Sequence, residues 1–159
     1  MGKISIALGI ASLVLAGPLV GGTAQAADTK KAATLIEIAP PPAGKGQIVF
    51  FRPSGAGMLL GCTVHEGGQE VSRLGNGKYF VHVAEPGPHE YAVQSEAKDV
   101  LNLEVEPDET QYVRCKISMG IMVGRPNLSP ATKGDFDEKS SKLKLQQVKE
   151  EKEASKATS

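Results

Sequence analysis

The sequence has no excess of charge of either sign, because 18 lysine and arginine residues face 18 aspartates and glutamates. Residues 1–26 contribute only Lys3 to this balance, so the rest of the chain carries a net charge of about −1 (17 − 18) with histidine neutral. Such a balance provides no electrostatic reason to bind nucleic acid or an anionic membrane. Tryptophan is absent as well, whereas 18 glycines and 10 prolines indicate short strands joined by many turns.

Long apolar runs are missing too, apart from one near the start of the chain. Residues 4–15 are largely apolar, follow Lys3, and precede the small residues Ala24-Gln25-Ala26. A charged start, an apolar middle and an A-x-A end form the pattern of a secretory signal peptide, and the run is short for a membrane anchor. We therefore predict a signal peptide over residues 1–26, cleavage after Ala26, and a periplasmic or secreted protein. No transmembrane segment is expected after cleavage. The sequence has no cysteine near the cleavage site, so it lacks the lipid-modified signal of a lipoprotein.

The remainder of the chain shows a period of two in its apolar residues, which is typical of β-strands. Turn signals separate the alternating runs, among them Asn76-Gly77, a strong hairpin signal because it tolerates positive φ. No long helical run lies among them, so we predict an all-β domain, an antiparallel β-sandwich of about seven short strands. The runs predicted as strands are residues 47–52, 58–65, 69–74, 79–84, 89–94, 100–106 and 111–117.

Shifts in composition divide the chain after the signal peptide into further parts. Residues 27–44 form a Pro-rich linker, since Pro40-Pro41-Pro42 favours an extended spacer. Residues 45–132 form the β-sandwich domain. Residues 133–159 form a charged, partly helical tail, whose sparse apolar residues predict a solvated and frayed segment.

The predicted domain contains two cysteines, Cys62 and Cys115. Alternation places both on the apolar faces of their strands, and an oxidising compartment would allow a disulfide between them. We predict this bridge, with two free, buried and inert thiols as the alternative. A catalytic thiol is disfavoured, because neither cysteine is followed by a Gly-rich or helix-opening sequence that would activate it.

The histidines and acidic residues of this sequence do not form a known catalytic or metal-binding motif. His65, His82 and His89 lack the close pairing of zinc ligands, so we interpret them as surface or strand residues. Glu104 and Glu106 alternate outward on one strand, as on any solvated strand face. No nucleophile elbow, phosphate loop or dinucleotide fingerprint is present. We therefore predict no catalytic centre, no metal and no cofactor.

The run from Met119 to Gly124 is apolar without alternation and contains glycines that weaken a strand. It is either a covered edge of the sandwich or an exposed patch for a partner. The candidate interaction residues are Met119, Ile121, Met122 and Arg125.

Several short segments, taken in order, resemble domain of unknown function family 2846. The resemblance covers about residues 44–130, and the turn around residues 85–89 is also similar to sandwich modules of the PEGA type. It implies a bacterial envelope protein with no established activity and no catalytic residues to carry over. Many members look lipid-anchored, whereas this chain lacks the lipobox cysteine, which favours a free periplasmic protein. The matching segments are residues 46–53, 75–81, 85–89, 112–114, 119–120 and 123–126.

The leading hypothesis is a non-catalytic secreted or periplasmic β-sandwich, a binding or structural module of the bacterial cell envelope. Its expected partner is an envelope protein or a cell-wall component, with no nucleic acid involved. One alternative is a small envelope hydrolase or carbohydrate-binding domain, in which Glu85, Glu104 or His82 meets Arg114 in a pocket. Another is an inhibitor or chaperone that docks through residues 119–125.

Overall fold

The computed structural model describes residues 35–55, 57–95, 97–122 and 124–148, so the predicted signal peptide and its cleavage site lie outside the described residues. Strands are the main secondary structure of the described chain, with a single short helix between the last two strands. Its elements are β1 (Gly46–Arg52), β2 (Cys62–Glu66), β3 (Gln69–Leu74), β4 (Lys78–Ala84), β5 (Gly87–Gln94), β6 (Lys98–Val105), β7 (Thr110–Ser118), β8 (Arg125–Ala131), α1 (Lys133–Ser140) and β9 (Lys144–Leu145).

The strands form two sheets, which confirms the predicted all-β sandwich. One sheet has five strands in the order β8-β7-β1-β4-β9, and the other has four in the order β3-β2-β5-β6. Most neighbours are antiparallel, as predicted, but β1 pairs in parallel with β7 and β4 pairs in parallel with β9. Strand β7 returns to β1 after the chain has passed through β5 and β6 of the other sheet, and β9 reaches β4 after α1.

The first strand lies at the centre of the five-stranded sheet and is buried on both faces, as its apolar sequence predicted. Ile48 and Phe50 point into the core between the two sheets. Val49 and Phe51 point to a second, smaller core on the outer face of the same sheet. Every residue of β1 is buried, so this strand separates and supports both apolar clusters.

Two predicted details of the strands differ from the structure. The second strand begins at Cys62, not at residue 58, because Leu60 donates a backbone hydrogen bond to Gly57 and closes a turn before the strand. Strand β8 was not predicted, since Pro126 and Pro130 interrupt its alternation. Proline is tolerated there because β8 is the edge strand, where one side of the backbone needs no partner.

A disulfide joins Cys62 of β2 to Cys115 of β7, which confirms the predicted bridge. Both residues are buried in the core between the sheets, with their Cα atoms 6.6 Å apart. The bridge closes a loop of 53 residues. On the chain-entropy model a loop of that length stabilises the folded state by about 4 kcal/mol.

The predicted charged tail is folded onto the domain as far as residue 148. Phe136 and Leu143 lie on the outer face of the five-stranded sheet, whereas Val148 packs against the core between the sheets. Helix α1 begins with a capping box formed by Thr132 and Asp135, and its Phe136 is fully buried. The Phe136 ring lies 5.5 Å from the rings of three aromatic residues on neighbouring strands, Phe51, Tyr79 and Tyr112. The helix has one large apolar residue and therefore no amphipathic pattern to reveal this contact. No helix in the described part of the chain is long and apolar enough to cross a membrane.

The described part of the predicted linker, residues 35–44, also contacts the domain. Ile36 and Ile38 pack against the outer core. The side-chain amide of Gln47 donates to the Ala39 carbonyl at 2.6 Å. These residues therefore contact the domain, whereas the proline-rich sequence predicted an extended spacer.

We expect Phe136→Ala to lower the free energy of unfolding by about 3–5 kcal/mol, because a fully buried phenylalanine leaves both lost transfer energy and a cavity. Urea unfolding of the purified protein measures the change. Glu138→Ala, on the exposed side of the same helix, is the matched control and should stay within about 0.5 kcal/mol of the wild type. Equal unfolding midpoints for Phe136→Ala and the wild type would show that the helix is not part of the folded domain.

Candidate functional site

The loop between β1 and β2 and the loop between β7 and β8 lie side by side at one end of the sandwich. The strands β1 and β7 are parallel neighbours, with Phe51 opposite Arg114, so both loops leave the same edge of the sheet. The disulfide ties the strand that follows the first loop to the strand that precedes the second. The relative position of the two loops is therefore held by covalent and hydrogen-bonded structure.

Close packing between these loops depends on glycine. A Cβ atom on Gly124 would lie 2.6 Å from the Cδ1 atom of Leu60 and 2.6 Å from the Cγ2 atom of Ile117. Gly57 has a φ of +70°, and a Cβ there would lie 2.9 Å from the same Ile117 methyl group. Any larger residue would force the two loops apart.

Large apolar side chains project into solvent from both loops. Leu59 and Met119 are 96% and 95% exposed. Met58, Ile121 and Met122 are 72–89% exposed. The apolar run from Met119 onward is therefore an exposed patch and not a covered edge of the sandwich. We call this set the apolar tip, and its members are Met58, Leu59, Met119, Ile121 and Met122.

The sequence singled out only the three members of the apolar tip that lie on the second loop. Met58 and Leu59 were missed because both fell within the predicted strand over residues 58–65. In that strand Met58 shared the apolar face of Cys62 and Val64 and was expected to be buried. The fourth predicted interaction residue, Arg125, begins β8 opposite Ser118 at the base of the second loop and is half-buried.

The first loop is anchored from below by a buried arginine that the sequence did not single out. Arg52 ends β1 and is only 2% exposed. Its guanidinium donates to the Gly57 carbonyl at 2.7 Å and to the Leu60 carbonyl. Burial lowers the pKa of Arg52 from its ordinary value. The available signal was an arginine that directly continues an entirely apolar strand and precedes Pro53.

A second cluster of functional side chains lies toward the opposite end of the sandwich and connects the two sheets. The Glu66 carboxylate, at the end of β2, accepts from His82 Nε2 of β4 at 2.8 Å and from His89 Nδ1 of β5 at 2.5 Å. All three side chains are largely buried. We call Glu66, His82 and His89 the histidine clasp.

The hydrogen bonds of His89 indicate its charge state. Its Nε2 atom donates to the Glu85 carbonyl at 2.7 Å, and its Nδ1 atom faces the Glu66 carboxylate. Both nitrogens face acceptors, so the protonated imidazolium satisfies both contacts. Burial lowers the pKa of His89, but the hydrogen bonds to Glu66 and Glu85 and the charges of Glu66 and Glu104 outweigh it and raise the pKa. Burial likewise raises the pKa of Glu66, and the two histidines reverse this and lower it.

The clasp rests on Tyr91, which joins it to the core between the sheets. The His89 ring stacks on the Tyr91 ring with centroids 6.0 Å apart, and the His82 ring meets it edge-on at 5.9 Å. Burial raises the pKa of the Tyr91 hydroxyl far above its ordinary value, and the Glu66 charge acts in the same direction. A groove of about 350 Å³ opens beside the clasp, lined by Glu66, Gln69, Glu70, Val71, Val81, His82, Val83 and Val148.

The structure does not bring Arg114 and His82 into one pocket, the arrangement that would favour the hydrolase alternative. Arg114 donates to Asp135 of α1 at 2.9 Å and lies over the Phe51 ring, so it does not join His82. His65 lies within β2 as a strand residue, as interpreted, whereas His82 and His89 form the clasp. In residues 35–148, apart from the three positions not described, no group of three or more histidine, cysteine, aspartate or glutamate side chains is arranged to hold a metal ion.

The paired pKa shifts predict how the clasp responds to pH. Because the pKa of His89 is raised in the folded state, its contribution to stability is complete below its ordinary value of 6.5 and is lost as the pH rises through the raised pKa. Because the pKa of Glu66 is lowered, its contribution is present above 4.5 and is lost as the pH falls through the lowered pKa. The clasp therefore stabilises most between pH 4.5 and 6.5.

We expect wild-type protein to lose about 1–2 kcal/mol of clasp stabilisation when the pH is raised from this window to about 9, the size of a charge-assisted hydrogen bond. His89→Gln should be less stable within the window and should not show this loss. His65→Gln is the matched control and should follow the wild type. Chemical unfolding across the pH range measures all three, and an unaltered pH profile in His89→Gln would contradict the assignment.

Comparison with known proteins gives one match. The family model described as "Protein of unknown function (DUF2846)" matches residues 42–126. This span runs from just before β1 to the start of β8 and includes the apolar tip, the histidine clasp and both cysteines. No curated protein and no solved structure shows significant similarity to the chain. With more than half of its residues covered by that model, the chain belongs to the DUF2846 family, as its sequence segments indicated.

Proposed function

We propose that this protein is a non-catalytic binding module of the cell envelope that docks on its partner through the apolar tip. The observation that carries this proposal is the set of five large apolar side chains exposed on two adjacent loops. Exposed apolar area costs about 25 cal/mol per Å² relative to burial, and contiguous patches of this kind mark interaction sites. The disulfide and Arg52 hold the loops in place, so little ordering is needed on binding.

The proposed location is outside the cytoplasm. The Cys62–Cys115 bridge is compatible with an oxidising extracellular or periplasmic compartment. The charged, apolar and A-x-A segments at the start of the sequence support export by a cleaved signal peptide. The same tip would serve an inhibitor or a chaperone, so these alternatives differ in the partner and not in the surface.

The contacts within the histidine clasp support a structural role over a catalytic one. Both oxygens of the Glu66 carboxylate and both nitrogens of His89 are engaged in hydrogen bonds. A general base must lie within hydrogen-bond reach of the substrate proton, and both nitrogens of His89 already face acceptors within the protein. The clasp joins β2 and β5 of one sheet to β4 of the other, which closes the sandwich at this end.

A second candidate function uses the groove beside the clasp. Its wall carries Glu66, Glu70 and His82 together with apolar side chains of β4, a mixture that fits a small polar ligand such as a sugar. Glu70→Gln would then weaken binding of an envelope saccharide or abolish its turnover, and either effect would favour a carbohydrate-binding domain or a small hydrolase.

We expect the exported protein to begin at Ala27, since signal peptidase reads small residues at the positions of Ala24 and Ala26. Mass spectrometry of the protein recovered from its native cell measures the first residue. Replacement of Ala24 and Ala26 by Arg is the companion variant and should accumulate uncleaved. An intact Met1 on wild-type protein, or retention in the membrane through the apolar run, would contradict the proposal.

We expect Ile121→Ser combined with Met122→Ser to abolish sedimentation of the protein with native envelope particles. Both side chains are at least 88% exposed, so the melting temperature should change little. Val100→Ser combined with Leu145→Ser is the matched control, since these exposed apolar residues lie outside the tip. Equal sedimentation of the tip variant and the wild type would overturn docking through the tip.

A further inference from the structure

We propose that the partner of the apolar tip is the surface of an anionic lipid bilayer. This inference rests on the proposed function and names the component on which the module docks. It follows from the distribution of charge between the two ends of the sandwich, from the exposure of the tip side chains, and from the chemistry of the residues at its base.

The connection between β5 and β6 lies at the tip end and carries one acidic and one basic residue, Glu96 and Lys98. Three other connections at that end carry basic residues and no acidic ones. They span residues 52–62, 73–78 and 116–125, and none of them contains aspartate or glutamate. Of their basic residues, Arg73 and Lys116 are exposed and Lys78 and Arg125 are half-buried. Arg52 is buried and holds the first loop from within.

Three connections at the other end show the reverse pattern. They span residues 66–70, 84–87 and 104–109, and none of them contains lysine or arginine. Their acidic residues are Glu66, Glu70, Glu85, Glu104, Glu106, Asp108 and Glu109.

The strand registers place these two sets at opposite ends. At the tip end, Cys62 lies opposite Leu74, Arg52 opposite Lys78, and Ser118 opposite Arg125. At the far end, Gly46 lies opposite Ala84, and Gly87 opposite Val105. The chain is nearly neutral as a whole, yet acidic residues outnumber basic ones at the far end, where Lys45 pairs with Glu85, and basic residues outnumber acidic ones in the connections at the tip end.

Basic side chains lie directly beside the tip. The Arg73 side chain lies against Gly61, at the end of the first loop, since a Cβ on that glycine would come within 2.3 Å of its Nε atom. Lys116 is exposed on β7 a few residues before Met119. An apolar centre with basic side chains around it is complementary to acyl chains below a layer of phosphate groups.

The shape of the tip favours a bilayer over a protein partner. Side chains that are about 90% exposed stand out from the surface and do not line a groove or a flat face. A protein partner would need a matching cavity, whereas a lipid interface adapts to projecting side chains. Methionine, which contributes Met58, Met119 and Met122, is flexible and polarisable and suits such an environment. The acidic far end would be repelled by the same surface, so the module would stand with its tip toward the lipid.

The test is sedimentation of the purified exported protein with vesicles of phosphatidylcholine alone and of phosphatidylcholine mixed with phosphatidylglycerol. We expect binding to the mixed vesicles, weaker binding to the neutral ones, and a decrease with added salt. Replacement of Met119, Ile121 and Met122 by Ser should abolish binding to both. Arg73→Gln and Lys116→Gln should each lower the partition coefficient on mixed vesicles about fivefold and leave binding to neutral vesicles unchanged. Lys133→Gln, on α1 away from the tip, is the matched control.

The outcomes separate this inference from the proposed function. Sedimentation with native envelope particles but not with mixed vesicles would overturn the lipid partner and leave docking through the tip intact. Absence of binding to envelope particles as well would overturn both. A dimer that forms with increasing concentration and is lost in the triple serine variant would assign the tip to a second copy of the chain. Binding to mixed vesicles that persists in that variant would also overturn the inference.

Discussion

The central strand β1 is the constraint on which the rest of the domain depends. Its inward side chains, such as Phe50, fill the core between the sheets, and its outward side chains, such as Phe51, fill the core under α1. It also pairs with β4 on one side and β7 on the other. Its last residue, Arg52, then anchors the loop that carries half of the apolar tip. Loss of this strand would therefore remove both cores and the support of the tip together.

The two ends of the sandwich are closed by different chemistry. At the tip end, the disulfide joins β2 to β7, and the buried Arg52 guanidinium binds backbone carbonyls of the first loop. Both lie beneath the exposed apolar side chains of the tip. At the other end, a carboxylate held between two imidazoles joins β2 and β5 to β4. The disulfide does not titrate, whereas the clasp contains two groups with shifted pKa values, so the clasp is the closure that responds to pH.

Much of the fold was predictable because its signals are local. The seven predicted runs correspond to β1–β7, since alternation and turn residues act over a few positions of the chain. The disulfide was predictable as well, because alternation alone places Cys62 and Cys115 on apolar faces. Strand β8 was missed because its prolines resemble a loop, and the burial of Phe136 was missed because a single apolar residue creates no helical pattern. In both cases the neighbouring strands supplied the missing stabilisation.

The sequence by itself determined seven of the nine described strands, the turns between them, the inward direction of both cysteines and the family to which the chain belongs. Only the tertiary structure decided which distant residues meet. Met58 and Leu59 lie beside residues 119–122 because β1 and β7 are neighbours, and Glu66 reaches His82 because the two sheets face each other. The separation of basic and acidic ends depends on strand order in the same way. Side-chain alternation determines which residues of a strand share one face. Long-range packing determines which residues that face contacts, and the local period of the sequence does not contain this information.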